Sequence, residues 1–561
     1  MARRFRVHDL RQTWRLDGLW DFAFLGDVDP DTVDVGSIDF TGDRMAVPGC
    51  FDATPAYAGQ RGLVAYRTRL VLRDTRPHRL TFNGVHHWCR VFVDGERLAE
   101  HVGGFTRFNV DITGHEAGEV ELVVLVDNRF DAERCPLHLP YFDWYHFGGI
   151  TRPVTLQRLG AVWIDHLAVH TVSLEPPTLG VDLIYRATTP PGKTPLRVTL
   201  DGEPVVTEVL DLAETSGSLS YTLEVPDAAL WSPESPNLHM VHVQLGDDDM
   251  RERVGIRQIT VGDQEIRING KATRLLGVCR HQAHPQFGCA LPGAIMVADV
   301  QQLRDLGCNF VRGSHYPQDE RFLDLCDEAG ICVWNEAIGW QHPAEHLTDA
   351  HFLNAQQAHI EEMVAMSTNH ASVIMWGLLN ESHSHDPDCR PGYEALIGKI
   401  RALDPSRPVT YASNHPYEDV CLDLVDIVAV NCYPGWYVGD IAGIPAYLDD
   451  IVAHLDSHGQ ADKPLIISEI GAGAIYGWRD MNETRWSEPY QAKLLDTVIR
   501  HMFEDRDRYA GLSIWQFCDC RSAEQTRRIL GRPRGFNNKG LVDEYRRPKQ
   551  GYDVVKGWYK G

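Results

Sequence analysis

The second half of this 561-residue chain repeats one pattern eight times. After about residue 262, short apolar runs alternate with longer stretches of helical periodicity. The runs are RLLGVCRH, NFVRGSHY, ICVWNEA, VIMWGLLNE, VTYASN, IVAVNCY, LIISEIG and LSIWQFCD. Between them lie segments such as MVADVQQLRDLG, DERFLDLCDEAG and YQAKLLDTVIRHMF, whose apolar residues recur at helical spacing. A strand covered on both faces shows no polar alternation, so parallel strands read as continuous apolar runs. Eight such strands, each followed by a helix, predict a (β/α)8 barrel over residues 262–561.

A barrel of this kind gathers its chemistry at the C-terminal ends of its strands. Here those ends carry His281, His315, Glu336, Asn380, Glu381, Asn414, Tyr433, Glu469 and Trp515. Two carboxylates at one mouth suit glycosidic bond cleavage: one gives a proton to the leaving oxygen, the other attacks the anomeric carbon. A separation of roughly 5–5.5 Å gives retention, and a wider one gives inversion. Glu336, Glu381 and Glu469 compete for the two roles. Glu381 suits the acid, because the adjoining Asn380 can hold a sugar hydroxyl. Glu469 suits the ionised partner, with the Tyr433 phenol as donor. A single glutamate is more often a helix cap or an arginine partner. Two of them, ending strands 4 and 7 of one barrel, outweigh that explanation.

The first 261 residues have a different texture. Up to about residue 160 the pattern has period two, as in RLTFNGVHHWCRVFVDGERL and EVELVVLVDN, with Asp94-Gly95 as a hairpin turn. This predicts a first β-sandwich over 1–160. Residues 161–261 repeat the style in a smaller, immunoglobulin-like unit, with VDLIYRA, LRVTLDGEPV and SLSYTLEV as strands. The formal net charge of −24 argues against a nucleic-acid or anionic-membrane partner. No apolar run approaches the roughly 20 residues of a bilayer span, and the N-terminal MARRFRVHDLRQTW lacks the apolar stretch of a signal peptide. The 13 cysteines are scattered and unpaired in spacing, which predicts free thiols and a cytoplasmic location. No cofactor motif is present. His383, His385 and Asp386 are read as the polar rim of a loop rather than a metal site, since no third ligand follows at a useful spacing. Of the tryptophans Trp340, Trp376, Trp436 and Trp515, only Trp515 is expected to serve as a sugar platform; buried packing accounts for the others.

These motifs resemble glycoside hydrolase family 2. MWGLLNES is similar to the family's acid/base motif and IISEIGA to its nucleophile motif; LWSPESPNL and VGIRQI resemble the end of its immunoglobulin-like domain. The resemblance covers nearly the whole chain. It implies a galactose-binding-like jelly roll, an immunoglobulin-like sandwich and a barrel, in that order. It also implies a retaining reaction through a covalent glycosyl-enzyme, with Glu469 as nucleophile, Glu381 as acid/base and Glu336 in a supporting place.

Within the family the β-glucuronidases look most similar. NCYPGWYVGD resembles their tyrosine-bearing strand end, which brings in Tyr433 and Tyr437; PYFDWYHFGGITRPV resembles a loop reaching the mouth, which makes Asp143 a sugar contact. GVCRHQAHP carries over His281, with Gln282 where the family has an acid. Asn537-x-Lys539, in GFNNKGLVDEYRRPK, resembles the pair that holds a sugar carboxylate. On physical grounds a uronate entering a desolvated pocket needs such a cation and amide. As an isolated tetrapeptide, NNKG is only a turn; after an eighth barrel strand, the carboxylate reading is preferred. Either Arg532 or Arg534 stands in for a substrate-contacting arginine. The expected activity is that of an exo-β-glycosidase on a small-molecule or oligosaccharide glycoside, first a β-glucuronide. A galacturonide, galactoside or galactofuranoside is the alternative, and a catalytically silent carbohydrate-binding protein the alternative outside enzymes. A homo-oligomer is compatible with the sequence.

Overall fold

The computed structural model describes residues 3–140, 143–505, 507–523 and 531–561. It has two β-sandwiches followed by a parallel barrel. In the first sandwich a four-stranded sheet (Gln12–Arg15, Val154–Arg158, His78–Phe82, Phe108–Ile112) faces a six-stranded one built around Leu63–Leu72 and Gly118–Asp127. Alternate residues of both sheets, among them Leu80, Phe82, Val110, Val124 and Leu156, interleave as one core. The second sandwich sets Val162–Leu174, Pro177–Ala187 and Ser216–Glu224 against four strands from Gly192 to Val254, around a core that includes Ile164, Val181, Val198 and Val243.

Eight barrel strands follow: β1 (Leu275–Arg280), β2 (Phe310–Gly313), β3 (Cys332–Glu336), β4 (Val373–Gly377), β5 (Val409–Thr410 and Ala412–Ser413), β6 (Val428–Asn431), β7 (Leu465–Ile470) and β8 (Tyr509–Ile514). The order runs β5-β4-β3-β2-β1-β8-β7-β6-β5, so the ring closes through the two short halves of β5 on either side of Tyr411. The pairings are parallel and the strand residues almost all buried, which is why they read as apolar runs.

Two features depart from the expected alternation. Among the described residues, seven α-helices of ten residues or more surround the ring; between β5 and β6 there is only the 3-10 turn Leu422–Leu424. The connecting stretch NHPYEDVCLDLVDI is short and broken by proline, too little chain for a helix and two loops. An antiparallel meander (Ile259–Gly262, Glu265–Ile268, Lys271–Ala272) precedes β1. Its Ile259, Ile266 and Ile268 plug the N-terminal end of the barrel against Leu275, Phe310, Cys332 and Ala412. The strand ends that carry Glu336 and Glu469 lie at the opposite end.

Candidate active site

Arginine 312 organises the mouth. It is fully buried inside β2, with its guanidinium stacked 4.6 Å from the Trp334 ring. It donates to Glu469 Oε1 at 2.8 Å, to Glu336 Oε2 at 3.0 Å and to Asn380 Oδ1 at 2.7 Å. One cation thus ties together the ends of β2, β3, β4 and β7. The sequence reading passed over it. The available signal was an arginine inside the apolar run NFVRGSHY, where only a paired charge can be tolerated.

Glu469 and Glu381 meet different donors. Glu469 takes the Tyr433 hydroxyl on Oε2 at 2.6 Å as well as Arg312 on Oε1. Glu381 takes only amides: Asn431 Nδ2 on Oε1 at 3.0 Å and Gln341 Nε2 on Oε2 at 2.9 Å. Burial pushes the Glu469 carboxyl up to about 8, with Arg312 pulling against it and the neighbouring Glu381 charge adding to the rise. Burial raises Glu381 as well, again opposed by its hydrogen bonds and reinforced by Asp143. The Glu381 charge is one cause of the rise at Glu469, so ionising both carboxyls costs more than ionising one. The donors say where a single shared proton rests. Glu469 has a cation and a phenol in contact, so it keeps the negative charge; Glu381 has neutral amides and takes the proton. Glu336, buried beside Arg312 and 3.1 Å from His315 Nδ1, is pushed up to about 7 by burial.

Glu381 sits just beyond β4 in the left-handed region, at φ +48°, with Leu379 at φ +49°. Side chains avoid this region at a cost on the order of 1 kcal/mol each. The turn aims Asn380 and Glu381 from one strand end into the same mouth.

Several polar atoms there are buried with no hydrogen-bond partner among the described residues: Asn380 Nδ2, His281 Nε2, and both Nδ2 and Oδ1 of Asn537. An orphaned buried donor or acceptor costs about 1–3 kcal/mol unless something fills it. Lys539, 3% exposed, donates to the Tyr437 hydroxyl at 2.8 Å and lies 5.4 Å from the Tyr433 ring. No carboxylate pairs with it among the described residues. The strand end that carries Tyr433 therefore links the lysine to Glu469.

The other residues expected at the site are placed as follows. His281 is buried, with Nδ1 3.1 Å from the Tyr316 hydroxyl and its ring 5.1 Å from Trp144. Trp515 is 2% exposed and stacks on His315 at 5.2 Å, so most of its face is already covered. Asp143 comes from the first sandwich and is held by Arg532 Nε at 3.0 Å. Arg534 donates to Glu544 Oε1 at 2.9 Å and to Asn538 Oδ1 at 3.0 Å. Residues 527–530, which open the arginine-bearing segment, lie outside the described residues, as do Tyr141 and Phe142. A buried pair supports the Asn537–Lys539 loop from behind: Lys549 Nζ meets Asp519 Oδ1 at 2.7 Å, and the same oxygen accepts the Gly540 N–H at 2.8 Å. These two were not legible as site supports. His383 and His385 are adjacent rings 5.2 Å apart, and they join no group of three metal-ligating side chains among the described residues.

A cavity of about 910 Å³ lies elsewhere, where the N-terminal segment, both sandwiches and the barrel's outer wall meet. Its buried arginines are already paired, Arg11 with Asp248 and Arg79 with Asp111 and Asp165. None of the mouth carboxylates lines it. Convergent chemistry, not size, identifies the barrel mouth as the site.

Comparison with known proteins agrees with this geometry. Residues 259–561 match the model described as glycosyl hydrolases family 2, TIM barrel domain, and residues 180–257 match that of glycosyl hydrolases family 2. The chain is 30% identical to the β-glucuronidase of Paenibacillus borealis over 82% of this chain and 81% of that one. It is 29% identical to human β-glucuronidase over 88% of this chain and 78% of that one. Among solved structures, the family 2 β-galacturonidase of Eisenbergiella tayi, bound to galacturonate, superposes with a TM-score of 0.91. It is 35% identical and covers 100% of this chain and 99% of that one.

Proposed function

Because the chain belongs to glycosyl hydrolase family 2, we propose that its barrel mouth removes terminal β-linked uronic acids, first β-glucuronides, with retention of configuration. Glu469, ionised between Arg312 and Tyr433, attacks the anomeric carbon and forms a glycosyl ester. Glu381 delivers its proton to the leaving oxygen, then takes one from the water that cleaves the ester. Asn380 Nδ2 and His281 Nε2, both without partners among the described residues, offer hydrogen bonds to the sugar hydroxyls. Arg312 and Glu336 act through Glu469 and Asn380, as positioning residues.

One observation carries the uronide reading: a buried amide, Asn537, with both polar atoms unpaired, two residues from a buried lysine with no carboxylate partner among the described residues. A sugar carboxylate accepts from Asn537 Nδ2 and from the lysine at once. The curated relatives named β-glucuronidase favour the glucuronide. A second reading, a β-galacturonide, is supported by the 35% identity across the whole chain to a protein named β-galacturonidase. The two sugars differ only in the C4 hydroxyl. Nitrophenyl β-glucuronide, β-galacturonide, β-galactoside and β-galactofuranoside, compared by kcat/KM, test both readings. A preference for either neutral sugar overturns the uronide reading. The thirteen cysteines, all free, support a reducing, cytoplasmic setting.

A further inference from the structure

Two thiols meet at the joint between the first sandwich and the barrel. Cys50 Sγ lies 3.6 Å from Cys289 Sγ, although the residues are 239 apart in sequence. Cys50 follows the strand Asp43–Val47; Cys289 is in the loop after β1 that also carries His281. The approach is built in. Gly288 has φ +57°, and a side chain there would sit 2.7 Å from Cys50 Sγ.

The pair is polarised. Cys289 Sγ lies 3.7 Å from His86 Nδ1, which also faces the Phe147 carbonyl at 3.0 Å. Burial opposes ionisation of Cys289, but the contact with the Cys50 thiol, His86 and Arg152 together hold it well below the usual thiol range. Burial and the neighbouring thiol raise Cys50. Of the two sulfurs, Cys289 is the one that lies beside His86. Cys289 is also the more accessible of the two, while Cys50 is 4% exposed.

We propose that Cys50 and Cys289 form a peroxide-reactive modification site that closes to a disulfide joining the first sandwich to the barrel. The oxidant is hydrogen peroxide. The Cys289 thiolate attacks one peroxide oxygen, the O–O bond breaks, hydroxide leaves, and Cys289 becomes a sulfenic acid. Cys50 then attacks the Cys289 sulfur; the S–O bond breaks, and the oxygen leaves as water with the Cys50 proton. Two thiols lose two electrons, and one peroxide becomes two waters. The sulfurs must close by about 1.5 Å to reach a disulfide bond, within the reach of side-chain rotation. The bond would restrain the segment of Tyr145 and Phe147, which packs on Cys50 and Ala290 and continues from Asp143 at the mouth.

The test treats the full chain with hydrogen peroxide and maps disulfides by mass spectrometry of non-reduced peptides. A Cys50–Cys289 linkage that dithiothreitol reverses is expected. In Cys50→Ser the reaction should stop at a sulfenic acid on Cys289, captured by dimedone. Before oxidation, Cys289 should alkylate at pH 7 on the order of tenfold faster than the twelve buried cysteines. Wild-type mapping does not depend on how the variants fold, and Cys50→Ala serves as a second variant. The proposal is overturned by oxidation that leaves this pair unlinked, by Cys289 linked to a different cysteine, or by dimedone capture at Cys50 in Cys289→Ser with none at Cys289 in Cys50→Ser.

Discussion

Glu381 and Glu469 are chemically the same side chain, and their donors alone separate them. Glu469→Gln removes the oxygen nucleophile held between Arg312 and Tyr433, so turnover on every glycoside should fall to background. Glu381→Gln should slow substrates with poor leaving groups far more than activated aryl glycosides, by roughly 10²–10⁴-fold, the usual worth of a positioned proton donor. Azide added to Glu381→Ala should give a β-glycosyl azide; an α product would mean the roles are reversed. The pH profile follows from the shared proton. Glu381 must be protonated, and its raised pKa places the loss of kcat/KM at high pH, as that proton leaves. Glu469 must be ionised, so activity also falls at low pH. Glu381→Gln, assayed on an aryl glycoside, should flatten the alkaline limb and leave the acid limb. An unchanged alkaline limb would assign it to another group.

The elements were legible where one physical rule decides them. Strands β1–β4 and β6–β8 are buried on both faces, and that alone makes them continuous apolar runs. The short halves of β5 and the missing helix behind it follow from ring closure, which no local window of sequence records. The meander at 259–272 was hidden for a similar reason: its few apolar residues matter only because they plug the barrel floor. The same divide runs through the site. Glu381 and Glu469 end recognisable strands, whereas Arg312 owes its place to partners 24, 68 and 157 residues away. The loop after β8 is the element on which glycone choice depends. Lys539→Ala should lower kcat/KM on a uronide by the equivalent of about 2–5 kcal/mol, the usual cost of losing one member of a buried charge pair. The matching neutral glycoside should be nearly unaffected. A loop weakened only in its folding would lose activity equally on both, so the ratio of the two substrates is the measurement. Asn537→Ala should move that ratio the same way, since its unpaired amide faces no other partner among the described residues.

At the scale of the whole molecule, the site is assembled from two modules. Asp143 of the first sandwich meets Arg532 at the barrel mouth, and the orientation of one module on the other sets that contact. The N-terminal segment helps fix the orientation. Arg3, 6% exposed, donates to Asp324 at 3.0 Å and lies 3.3 Å from Glu252 and 3.4 Å from Glu320. A single guanidinium thus joins the chain's start to the second sandwich and to the helix after β2. Removing it leaves the buried Glu252 without a paired cation among the described residues, while Glu320 keeps Arg107 at 3.0 Å and Asp324 keeps Arg253 at 3.7 Å; breaking such a cluster costs about 3–5 kcal/mol. Burial already raises Glu252 despite Arg3, and without the guanidinium its folded-state pKa should rise further. A carboxyl whose folded pKa is raised binds its proton more tightly when folded, so its penalty is absent below the unfolded value near 4.5. The penalty grows as pH rises toward the folded value. Arg3→Ala should therefore be close to wild type in thermal stability near pH 5 and fall progressively behind it toward pH 8. The catalytic ratio between substrates should stay unchanged at temperatures where the variant is folded. Thermal unfolding of both proteins across that pH range is the measurement. A deficit that is constant with pH would mean that Arg3 acts by packing on Phe5, 4.7 Å from its guanidinium, rather than by pairing those carboxylates.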